Sequence, residues 1–90
     1  MQNADAYNAY FGRERGAPID FATMSLNGVM AFQWALINAR RYPHDTVGRY
    51  SFTSAELKTL KAELRLTGLE RFTPELQDRL ADAMIARAMR

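Results

Sequence analysis

The sequence predicts a single all-helical domain over residues 1–90. Three segments carry apolar residues at helical spacing, and each opens on a residue that caps helices. The chain also has no cysteine, so packing alone must hold it together. Hydrophobic residues make up 48% of the chain and charged residues 24%, a globular rather than disordered balance. A chain of this size supports one core, with a net stability of about 5–8 kcal/mol.

Residues 4–11 read as a short helix, and Gly12, Gly16 and Pro18 break it into a loop over 12–24. Ser25 caps a helix over 26–40 whose apolar residues include Leu26, Val29, Met30, Leu36 and Ile37. Phe32 and Trp34 widen that stripe, so this helix is expected to bury more than one side. Arg40 and Arg41 suit its negative end, and Pro43 disfavours helical geometry at Tyr42. Residues 47–52 are too short for more than a minor β-turn or hairpin. Thr53 and Glu56 form a capping box for a helix over 54–66, with Leu57, Leu60 and Leu64 on one side and Gly68 as terminator. Thr73, Pro74 and Glu75 open a third helix over 74–88, with Leu76, Leu80, Met84 and Ala88 as its stripe and Ile85 beside it.

Composition excludes several functions. The lone histidine, His44, cannot build a zinc site, and no metal or cofactor is expected. No apolar run approaches the ~18–20 residues that span a bilayer. The first residues lack a basic segment followed by an apolar one, so no signal peptide is expected. The net charge of +2 comes from basic residues interspersed with acids, so nucleic-acid binding is not expected either.

Four segments carry a resemblance. Val47-Gly48-Arg49-Tyr50-Ser51-Phe52 resembles the "AGRYQF" segment of phage-type lytic transglycosylases and related endolysins. Phe72 to Arg79 resembles their "FTPELQDR", Tyr7 to Gly12 their "YNAxYG", and Asp20 to Gln33 their "IDFSxMTVxEVxxxQ". The order is the same, and the match spans nearly the whole chain but only part of a complete family domain. The resemblance implies a lysozyme-like helical fold, a peptidoglycan glycan substrate and an anhydro-sugar product. It also implies one glutamate serving as acid and then base, which needs a raised pKa in a partly apolar cleft.

The sequence departs from that pattern where the chemistry lies. The family acid belongs to an "ESGG" segment a few residues before "YN", and this position falls near Gln2. An amide cannot deliver and recover a proton. Ser51 stands where the family has the glutamine of "GRYQF", and the chain reaches Arg90 before the family's later helices. The expectation is a retained scaffold without its catalysis, and no catalytic residue is assigned. Glu14 is a weak substitute, because Arg13 and Arg15 beside it favour the charged form. Asp20 reads as a turn cap, and His44-Asp45 as a solvated turn. Tyr50 reads first as a core residue with a bonded hydroxyl, and second as part of a cleft floor. Trp34, with Phe32 and Met30, reads as core before it reads as a sugar-stacking platform.

The candidate binding residues are Tyr7, Tyr10, Trp34, Tyr42, Arg49, Tyr50 and Ser51. Aromatics left uncovered by missing helices would form an apolar patch of the kind that marks a protein partner. The expected function is therefore a non-catalytic protein-binding module on a degenerate transglycosylase-like scaffold. The resemblance extends this to a phage- or prophage-encoded inhibitor of a host or defence protein, an anti-CRISPR-like role included. The alternative is a peptidoglycan lytic transglycosylase fragment acting on glycan strands. The expected partner is a protein, with residual glycan binding secondary and no membrane. The expected location is the host cytoplasm as made, or else the virion or periplasm.

Overall fold

The structure is a computed structural model that describes residues 6–89. Three helices carry it: α1 over Leu26–Asn38, α2 over Ser54–Glu63 and α3 over Pro74–Ala88. Among the described residues, β-structure is limited to isolated bridges. The predicted all-α class holds.

Each helix starts where its cap dictates. The first amides of a helix have no intrahelical acceptor, so a side-chain oxygen just outside supplies one. Ser25 accepts from the amide of Gly28, and Thr73 from that of Leu76. Thr53 accepts from Glu56, and Glu56 reaches back to the amide of Thr53 at 2.9 Å. Asp45 adds a second acceptor at the start of α2, taking bonds from the amide and hydroxyl of Ser54.

The helix ends differ from expectation. α1 stops at Asn38, where Arg41 takes a left-handed φ of 61° and the Tyr42 amide turns back to the carbonyl of Leu36. α2 stops at Glu63, not 66, because Arg65 adopts a φ of 55°. The amides of Arg65 and Leu66 then reach the carbonyls of Ala62 and Lys61, the paired bonds of a Schellman turn. Gly68 belongs to the next turn. Residues 6–11 are not the expected helix either: one turn at the start gives way to a bridge between Tyr10 and Val47.

The buried stripes are Leu26, Val29, Gln33 and Leu36 on α1, Leu57 and Leu60 on α2, and Leu76, Gln77, Leu80 and Ala81 on α3. Phe21, Phe52 and Phe72 fill the space between them, meeting edge to face. Ile37 and Ala88, read as apolar stripe, and Ile85, read as lying beside it, are exposed, and Met30 and Met84 are half-buried. Trp34 corrects the core reading most plainly, since 65% of it is exposed. It faces outward because the buried stripe of α1 continues through Gln33, one residue before it.

The segments between helices pair through their backbones. The amide of Phe72 donates to the carbonyl of Met24, and that of Leu26 to the carbonyl of Glu70, tying the start of α1 to the start of α3. Glu70 in turn holds the link that follows α2. Its carboxylate accepts from the amides of Thr67 and Gly68, both at 2.8 Å, and from the Thr67 hydroxyl. These bonds, the one from the Thr67 amide foremost, lower its pKa from 4.5 to about 2. A carboxyl depressed in the fold stabilises it above the unfolded pKa and loses that contribution as pH falls through the folded one. The melting temperature of the wild type is therefore expected to drop between pH 4.5 and 2. Glu70→Gln should flatten that part of the profile. A thermal-melt series showing identical slopes for the two proteins would refute this role.

Candidate functional site

Residues 47–52 form a tight turn closed by reciprocal bonds between Val47 and Phe52, at 3.0 and 2.9 Å. Gly48, with φ 82°, and Ser51, with φ 53°, give the turn its left-handed corners. The N-terminal segment lies alongside: the amide of Gly48 donates to the carbonyl of Ala9, and that of Phe11 to the carbonyl of Thr46. Two buried glutamines brace the arrangement from opposite helices. Gln33 on α1 donates to the carbonyls of Asp45 and Phe52. Gln77 on α3 accepts from the amide of Arg49 and donates to the carbonyl of Tyr7, both at 3.0 Å.

This bracing places Tyr7, Arg49 and Tyr50 together at the surface. The guanidinium of Arg49 lies 5.4 Å from the Tyr7 ring centre and 5.8 Å from that of Tyr50, in cation–π range of both. It also donates to the Tyr7 hydroxyl at 3.2 Å. Both tyrosine hydroxyls donate to one oxygen of Asp78, Tyr7 at 2.8 Å and Tyr50 at 2.6 Å.

The electrostatics follow from these bonds. The Tyr50 and Tyr7 hydroxyls hold the Asp78 carboxyl below its ordinary pKa, with the charge of Arg49 adding to the effect. The same bond to Asp78 raises the Tyr50 phenol from 10.0 to about 12. The bond to Tyr7 raises the Arg49 guanidinium above its ordinary value. The face thus carries a fixed cation and a fixed anion, bridged by the Tyr7 hydroxyl, with the Tyr50 hydroxyl on the anion as well. A general acid needs a proton to give near neutrality, and Asp78 has none.

The other predicted residues fall elsewhere. Tyr10 is buried: its ring meets Phe21 and Phe32, and its hydroxyl donates to the carbonyl of Ala17 at 2.7 Å. Its ring therefore serves the core, and only its edge reaches the surface. Tyr42 is half-buried edge-on to Phe11, which also meets His44. Ser51 is exposed on the turn and lines a small groove with Tyr10 and Phe11. Trp34 lines a separate groove between α1 and α2, with Met30, Ile37, Ser54, Ala55 and Lys58.

The candidate acids do not assemble either. Glu14 sits exposed on a 3-10 turn, and Asp20 caps the next one by accepting from Ala22. Asp45 faces the start of α2 while His44 is turned to Phe11, so they form no acid–base pair. Gln2 lies outside the described residues. Among those residues, no cluster of His, Cys, Asp and Glu could hold a metal ion, and no helix is long and apolar enough to cross a membrane.

Tyr50 corrects the sequence reading in part. Its hydroxyl is bonded, as expected, but its ring is 38% exposed and not in the core. Gln77 and Asp78 are the site residues that sequence reasoning did not single out. A signal was present: Gln77 stands three residues before Leu80 and seven before Met84, on the apolar stripe of its helix. No family model, no curated protein and no solved structure matches this chain.

Proposed function

We propose that this chain is a non-catalytic protein-binding module, with Tyr7, Arg49 and Tyr50 at the centre of its binding face. The observation that supports this is the mutual satisfaction of those side chains around Asp78 at the surface. Tyrosine and arginine are enriched among residues that dominate binding energy. Here their rings and guanidinium are already held in place, so binding orders little that was loose. A phage- or prophage-encoded inhibitor of a host protein is the form of this reading that the resemblance favours. The same resemblance suggests a glycan cleaver, but Asp78, the carboxyl of this face, is held in its charged form and has no proton to give the leaving oxygen.

The test pairs capture with chemistry. Wild type and Arg49→Ala are used as bait in host lysate, and the Kd of each for the recovered protein is measured. Arg49→Ala should weaken binding at least about tenfold, as loss of a central arginine does, with the melting temperature close to that of the wild type. Equal affinity for the two baits would refute the proposed face. Clearing of purified cell walls with release of anhydro-sugar products would refute the non-catalytic reading.

A further inference from the structure

We propose that Gln77 is the positioning residue of this face: its single amide sets the register between Tyr7 and the Arg49–Tyr50 turn, so that both tyrosines meet at Asp78. The inference rests on the reading of that face as the binding surface.

Successive residues on an α-helix project about 100° apart. Gln77 therefore points into the protein, where it is fully buried, while Asp78 stands exposed on the same turn of α3. Both residues grip the same two segments. Gln77 holds them by the main chain, through the carbonyl of Tyr7 and the amide of Arg49. Asp78 holds them by the side chains, through the hydroxyls of Tyr7 and Tyr50. The inner pair of bonds fixes where each chain segment lies, and the outer pair forms only if they lie correctly.

The amide is suited to this in a way its neighbours are not. One group must accept from an N–H and donate to a carbonyl at once, and a carboxylamide has both functions in one plane. The reverse orientation would set N–H against N–H and oxygen against oxygen, so the contacts fix which way it points. Its surroundings are fitted to it as well. A side chain at Gly48 would place its first carbon 2.5 Å from Oε1 of Gln77, so the absence of one lets the turn close onto the amide. Segments far apart in sequence, at residues 7 and 49, thus depend on one buried group.

The experiment uses the full chain and needs no partner. Gln77→Met keeps much of the side-chain length and removes both bonds. In this variant the amide hydrogen of Arg49 should exchange at least tenfold faster than in wild type. The Tyr50 phenol, followed by NMR of the ring carbons, should titrate back from about 12 toward 10.0, because its bond to Asp78 is lost. A folded Gln77→Met protein with both properties unchanged overturns the proposal. Gln77→Glu is measured beside it, and it decides the matter if the Met variant does not fold. A protonated carboxyl offers the same donor and acceptor as the amide, and a carboxylate offers no donor. The carboxylate still accepts from the Arg49 amide but cannot donate to the Tyr7 carbonyl. Relative to wild type at each pH, protection of the Gly48 amide, which donates to the carbonyl of Ala9 in the Tyr7 segment, should therefore be near normal in acid and fall at least tenfold as the new carboxyl ionises. Equal relative protection across that range overturns the proposal. These outcomes are separable from failure of the binding reading, which is judged by Arg49→Ala and its partner.

Discussion

Replacing Leu80 by alanine is expected to lower the unfolding free energy by about 2–5 kcal/mol, a large share of what a domain of this size has. Leu80 is fully buried at the middle of α3, within the same core as Phe52, Phe72, Leu57 and Leu60. Truncation removes buried apolar surface and leaves a cavity that the surrounding helices fill only in part. The chain has no disulfide to share the loss. For a domain of this size each kcal/mol moves the melting temperature by about 4–8 °C, so the variant should melt at least about 8 °C lower. Ile85→Ala on the same helix is the control. Ile85 is 59% exposed, and its loss should stay within about 0.5 kcal/mol. Thermal and denaturant melts of the two variants would expose an error in facing if their effects were similar.

That contrast shows what could be read from the sequence. The starts of the helices were legible because a cap is local: Ser25, Thr53 and Thr73 each bond an amide three residues on. The faces were legible only in part. Hydropathy cannot recognise Gln33 and Gln77 as buried stripe residues, and it draws Trp34, Ile37 and Ile85 into the core though they lie outside it. The end of α2 was misplaced because Gly68 advertises a terminator, while Arg65 takes the left-handed position three residues earlier.

The site divides in the same way. Tyr7, Arg49 and Tyr50 drew notice through the resemblance, and the structure brings those three together. Nothing local links them. The bond from Tyr7 to Asp78 spans 71 residues, and the bond from Gln77 to the Tyr7 carbonyl spans 70. Such pairing follows from how α3 docks against the 47–52 turn, which no window of sequence contains. Ser51 illustrates the converse. Its place in the motif suggested a contact residue, and its backbone, at φ 53°, adds a role the motif does not show, as a corner of the turn.

Gly48→Ala joins these levels, because one methyl group strains the backbone and displaces the brace together. A φ of 82° lies in the left-handed region, where a Cβ costs about 1–2 kcal/mol. The added carbon would stand 2.5 Å from Oε1 and 3.1 Å from Cδ of Gln77. A flexible surface side chain would move aside at little cost, but this amide is buried and held at both ends. Shifting it leaves buried polar groups unpaired, at about 1–3 kcal/mol each where water cannot replace the partner. Relaxation of the turn recovers part of this, so the expected loss of stability is about 2–4 kcal/mol. The functional consequence should exceed the thermal one. At temperatures where Gly48→Ala is still folded, the Arg49 amide should lose its protection and the Tyr50 phenol should titrate nearer 10.0 than 12. Binding through Arg49 should weaken in parallel. A variant within 0.5 kcal/mol of wild type, with Tyr50 still titrating near 12, would show that the turn accommodates a side chain and that Gln77 does not depend on its absence.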